Sequence, residues 1–135
     1  MAPMMTTHRE ELRQTWPMSS KVVVGIARDL AAHRMGTWGV PQKVIDDVLV
    51  VVSEAMTNVF KHVKKGPVKL HLAHQGDAVL AEIWDCAPIA PALRPLDPDT
   101  EGGMGLHIIA GLTENRCGHR WDSGGKTVYG FIPIP

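Results

Sequence analysis

An excess of charge of either sign is missing from this sequence: 14 basic residues balance 14 acidic ones, for a formal net charge of zero. A neutral chain has no electrostatic pull toward nucleic acid or an anionic membrane, which argues against direct nucleic-acid binding and membrane attachment. Long apolar runs are missing too, and none approaches the roughly 20 residues that a membrane span needs. The polar stretch Met1–Arg13 lacks the apolar core of a signal peptide. Cysteine is scarce. Cys86 and Cys117 are far apart and form no C-x-x-C pair, which excludes a disulfide framework and fits a reducing cytoplasm. The seven histidines are scattered, with no H-E-x-x-H or comparable ligand cluster, and so give no support to a zinc site. Repeats and low-complexity linkers are also absent. With 44% apolar residues among 135, the chain has the size of one compact domain, residues 1–135, with residues 1–9 expected to be flexible.

What is present alternates between two periods. Glu10 to Trp16 has the character of a short edge strand, ended by Pro17. Ser19 or Ser20 is placed to cap a helix over Lys21–His33, where Val22, Val23, Ile26, Leu30 and Ala31 follow helical spacing, before Gly36 and Gly39 break it. Pro41 opens a longer helix to about Val63, and Gly66-Pro67 ends it. Two strands follow, around Val68–Leu72 and Val79–Asp85, with Gln75-Gly76-Asp77 as the turn between them. Cys86–Glu101, with four prolines, is a loop. A short helix is predicted from near Leu106 to about Thr113, then strands at roughly Asn115–Trp121 and Lys126–Ile132 around Asp122-Ser123-Gly124-Gly125. This order predicts an α+β fold, a two-layer sandwich with helices on one face of a mainly antiparallel sheet. The regular strand–helix alternation of a parallel doubly wound fold is missing.

Three features carry chemistry. The helix after Pro41 is apolar around much of its circumference, yet Glu54 and Asn58 lie one turn apart on one face and Lys61 and His62 continue it. A carboxylate is costly to bury without a partner, so this stripe faces either a wet cleft or a bound ion, or is simply the solvent side with a Glu54–Lys61 pair. Asp85 ends a strand in phase with Val79, Ala81 and Ile83, and points inward if that face packs on the helices. There it can accept a hydrogen bond from an exocyclic amine or cap a turn. Finally, Gly102-Gly103-Met104-Gly105-Leu106 precedes an apolar helix. Glycines at a helix N-terminus let backbone N–H groups approach an anion such as phosphate. The pattern is neither a P-loop nor a dinucleotide fingerprint.

Taken in this order, the features resemble the gyrase–Hsp90–histidine-kinase–MutL (GHKL) ATPase superfamily. Glu54-Ala-Met-Thr-Asn58 is similar to its first box, whose Asn holds Mg²⁺; Asp85 matches the Asp that recognises adenine; Gly103-Met104-Gly105-Leu106 matches the glycines of the phosphate lid. Gly125-Lys126-Thr127 resembles the final box, which would make Thr127 a residue that binds adenine through water. The resemblance spans essentially the whole chain and implies the Bergerat ATP-binding fold with ATP and Mg²⁺ as cofactors. A Glu four residues before the Asn and a His four after it are most similar to bacterial anti-sigma-factor serine kinases. That likeness implies a protein that sequesters a sigma factor and phosphorylates a serine on a small antagonist protein. Glu54 would then be the general base, Asn58 the Mg²⁺ ligand and Lys61 a phosphate contact. Homodimers occur among such relatives, and Leu80 and Trp84 on a strand face permit one.

The loop after Asp85 departs from the family pattern. It reads Asp85-Cys86-Ala87-Pro88-Ile89, where two glycines are usual, and the lid segment Pro88–Glu101 is short and rich in proline. A non-catalytic partner-binding switch with a degenerate nucleotide site is therefore the alternative. A sensor histidine-kinase domain or a gyrase-type hydrolase fits less well, for want of a phospho-acceptor helix or a transducer domain.

Overall fold

The computed structural model describes residues 10–17, 20–63, 66–86, 103–122 and 124–135. Five strands and three helices follow in the order β1 (Glu11–Pro17), α1 (Val22–Thr37), α2 (Gln42–His62), β2 (Pro67–His74), β3 (Ala78–Asp85), α3 (Gly103–Leu112), β4 (Cys117–Asp122) and β5 (Gly125–Pro133). The strands form one sheet in the order β1-β2-β3-β5-β4, and every neighbouring pair is antiparallel. The fold is the expected α+β two-layer arrangement.

Strand alternation divides the sheet into two faces. Val68, Leu70 and Leu72 of β2, Val79, Ala81 and Ile83 of β3, and Ile132 of β5 are all buried. They pack with Val48, Val52 and Met56 of α2 and with Ala27, Ala31 and Met35 of α1 in one core. On α1 the small residues Ala27 and Ala31 are fully buried, which lets the helix lie close to its neighbours. Arg28 staples α1 to α2, donating to the Leu49 carbonyl at 3.2 Å and to the Ser53 hydroxyl. Ser53 Oγ in turn donates to the Leu49 carbonyl at 2.7 Å. The staple sits one residue before Glu54.

β1 lies at a sheet edge, where Pro17 pairs with Pro67 at the strand's end. Proline lacks an N–H to donate and is tolerated in such a position. Elsewhere the element boundaries differ from expectation. α1 continues through Gly36 to Thr37; the chain leaves the helix only at Gly39, whose φ of 73° suits glycine. Ser20, expected as a cap, accepts the Val22 N–H through its hydroxyl at 3.2 Å. α3 begins at Gly103, so Gly103 and Gly105 form its first turn instead of preceding it. At its far end Glu114 and Asn115 take left-handed φ values of 53° and 65°, and the Asn115 N–H returns to the Ala110 carbonyl at 2.8 Å. β4 therefore starts at Cys117, later than the spacing suggests. Residues 1–9 and the lid segment Pro88–Glu101 lie outside the described residues. Among the described residues, no helix is long and apolar enough to cross a membrane.

Candidate functional site

α2 supplies the polar stripe. Glu54, Asn58 and Lys61 are each half-buried, while His62 is exposed. Glu54 does not pair with Lys61 among the described residues. Its carboxylate reaches across to α3 instead. A Cβ added to Gly105 would lie 2.5 Å from Glu54 Oε2, so the missing side chain is what admits the carboxylate. The first amides of a helix have no partner within it and carry partial positive charge, which favours an anion there. Gly105 is buried and Leu106 half-buried beside it. Gly103 and Met104 belong to the same first turn, and their side-chain surroundings lie outside the described residues.

Asp85 points inward as its phase requires and is fully buried. Directly across the β3–β5 ladder stands Lys126, whose ammonium donates to Asp85 Oδ2 at 2.6 Å. The exposures of the two side chains, 8% for Lys126 and 0% for Asp85, make this a buried ion pair. The strands can lie this close because residue 125 is glycine: a Cβ there would collide with the Asp85 carbonyl oxygen and stand 2.7 Å from the Trp84 ring. Cys86, the next residue, packs its sulfur against Gly66; a Cβ at that position would collide with Sγ. Cys86 and Cys117 are not joined in a disulfide.

Thr127 does not join this group. Residues facing each other across an antiparallel ladder share a sheet face, and Thr127 faces Trp84 and Arg120. It lines a cleft of about 420 Å³ on the outer face with Arg13, Lys69, His71, Glu82, Trp84, Arg120 and Asp122. The structure does not bring Thr127, expected to bind adenine through water, together with Asp85: one step of strand alternation gives that place to Lys126. The same alternation separates Trp84 from Asp85. Trp84 Nε1 donates to Asp122 at 2.9 Å, and Lys69 sits 4.6 Å from its ring centre, both on the outer face. Trp121, opposite Lys126 and 48% exposed, is the tryptophan on Asp85's side.

Lys126 and Trp121 are residues that sequence reasoning passed over. Parity was the available signal, since Lys126 is in phase with Val128 and Ile132, just as Asp85 is with Ile83. The outer-face network was equally unforeseen. His71 Nδ1 lies 2.6 Å from Glu82 and its Nε2 lies 2.7 Å from Glu11; Arg120 also binds Glu82. Burial pushes the Glu82 carboxyl upward, but hydrogen bonds from His71 and Arg120 and their charges hold it below the usual carboxylate value. Among the described residues no group of His, Cys, Asp and Glu could hold a metal ion by itself.

Residues 19–129 match the family model of the histidine kinase-like ATPase domain. The chain belongs to this family. The match runs from before α1 into β5 and so includes Glu54, Asn58, Asp85 and the first turn of α3. It supports the GHKL resemblance and an ATP-binding regulatory role. No curated protein sequence matches the chain.

Proposed function

We propose that this histidine kinase-like ATPase domain is an ATP- and Mg²⁺-dependent regulatory protein that works as an anti-sigma-factor-like serine kinase. In this reading it sequesters a sigma factor and phosphorylates a small antagonist protein. The observation that carries it is the approach of the Glu54 carboxylate to Gly105 in the first turn of α3, with Asn58 one helical turn further along α2. A base for a hydroxyl group, an oxygen ligand for a divalent ion and a helix N-terminus for phosphate thus converge. Asp85 fits the same purpose as a buried acceptor at the mouth of β3.

Bound ATP would supply the phosphoryl group, and Mg²⁺ the neutralisation of its charge. Within this chain, Glu54 accepts the proton of the acceptor serine hydroxyl, a task that suits a positioned carboxylate. Asn58 offers its side-chain oxygen to the ion. The first-turn amides of α3 at Gly103–Leu106 would hold the phosphates, and Lys61 would add a positive charge near the end of α2. Asp85 accepts the exocyclic amine of the base. Thr127, on the other face of the sheet, has no part in this scheme.

The test is incubation of the protein with labelled ATP, Mg²⁺ and candidate antagonist proteins. Label should enter the antagonist with wild-type protein. Glu54→Ala should remove transfer while leaving ATP affinity intact, whereas Asn58→Ala should weaken Mg²⁺-dependent nucleotide binding. Unchanged transfer by Glu54→Ala removes the base assignment. Failure to bind nucleotide at millimolar ATP removes the kinase reading altogether. One observation favours a second reading, a non-catalytic partner-binding switch: Asp85 already has a charged partner in Lys126. Nucleotide binding without transfer to any antagonist would select it.

A further inference from the structure

The Lys126 ammonium has more hydrogen-bonding capacity than its bond to Asp85 uses. An ammonium carries three N–H donors. For Lys126, among the described residues, the acceptor they find is Asp85 Oδ2 at 2.6 Å. At 8% exposure the side chain has little access to water, and leaving buried donors without acceptors is unfavourable. The position is also tightly set. Lys126 stands opposite Asp85 in the ladder, and the absence of a side chain at Gly125 brings the two strands together. The inner face thus offers a donor immediately beside an acceptor.

A ligand edge with an acceptor beside a donor satisfies both groups. The amino edge of adenine has this form, an exocyclic amine with a ring nitrogen on each side (N1 and N7). Resting on the ATP-binding reading above, we propose that Lys126 is a second base-reading residue. Asp85 accepts the exocyclic amine, and Lys126 donates to the ring nitrogen on its own side. Adenine is then chosen by the pair, and the carboxylate alone does not suffice. The ion pair serves two states: it neutralises Asp85 in the free protein and completes the reading edge when a base enters.

The test compares ATP, 1-deaza-ATP and 7-deaza-ATP, each titrated with Mg²⁺ into the full chain. Each analogue replaces one of the two ring nitrogens by a carbon. Lys126 lies to one side of the amine, so one analogue should bind about tenfold or more weakly, the loss expected for a hydrogen bond from a charged donor. The other should bind like ATP. In Lys126→Met, ATP affinity should fall to that of the weak analogue, and discrimination against that analogue should vanish. Lys126→Arg, which keeps the charge and the donors, should retain part of it. Equal affinity of the two analogues for wild-type protein overturns the proposal, and that comparison stands even if Lys126→Met fails to fold. Failure of ATP itself to bind is a different result and removes the ATP-binding reading on which the proposal rests.

Discussion

On the outer face of the sheet Glu82 shares its charge with His71 and Arg120 in a cleft open to water, whereas on the inner face Asp85 meets Lys126 with almost no solvent. The chain reaches both arrangements from neighbouring positions. Glu82 and Asp85 are three residues apart on one strand, and Thr127 and Lys126 are adjacent on the next. Partial exposure makes the outer network more tolerant, since water reaches Arg120, 54% exposed, and competes for its charge. Low dielectric makes the inner pair intolerant, because removing either partner takes the opposite charge away from a buried one. In the proposed function that difference puts the nucleotide on the inner face. A ligand group entering the inner face meets fixed, desolvated donors and acceptors, while one on the outer face competes with solvent and with an existing network.

The contrast can be broken most severely at Asp85. Asp85→Ala should cost about 3–5 kcal/mol, the usual range for removing one member of a buried pair, as read from chemical denaturation. The double variant Asp85→Asn with Lys126→Met should recover much of that loss, because no charge is then stranded. Next comes the close approach that holds the pair in place. Gly125→Ala would drive a methyl group into the Asp85 carbonyl oxygen, and backbone cannot swing aside as a side chain can. A loss of about 1–3 kcal/mol is expected. Gly105→Ala meets only the tip of Glu54, so it should displace the carboxylate with a much smaller change in melting temperature; phosphotransfer should suffer more than stability.

The outer face should respond least and chiefly to pH. The Glu82 carboxyl is held below its usual value in the folded protein, so its contribution is present above the ordinary carboxylate range and is lost as pH falls through the folded value. Glu82→Gln should therefore lower stability at neutral pH by less than about 1 kcal/mol, given solvent screening. It should also flatten the acid limb of a melting-temperature profile. An equal or larger effect than at Asp85 would contradict the contrast between the faces.

Much of this was legible in the sequence, because burial imposes a period. The runs from Val44 to Val59 and from Val79 to Asp85 announced a core helix and an inward-ending strand, and both stand as read. Asp85 was legible for that reason. The face that Thr127 occupies was not legible, because a motif match specifies residue order but not strand phase, and a shift of one residue exchanges sheet faces. Lys126 was overlooked because a lysine beside a turn is ordinarily a solvated one; its partner lies 41 positions away, at a distance no local pattern spans. The helix start at Gly103 was missed because glycine usually marks a break. Within that first turn it is Gly105 whose missing side chain admits the carboxylate of Glu54, again from another element.

The most direct test of the central claim, that nucleotide is bound on the inner face, is a calorimetric titration of ATP with Mg²⁺ into wild-type protein, Asp85→Asn and Glu82→Gln, each shown by its melt to be folded. The account predicts saturable binding to wild type and to Glu82→Gln, with binding lost or severely weakened in Asp85→Asn. Unchanged binding by Asp85→Asn, or no binding by wild type at millimolar ATP, would contradict it.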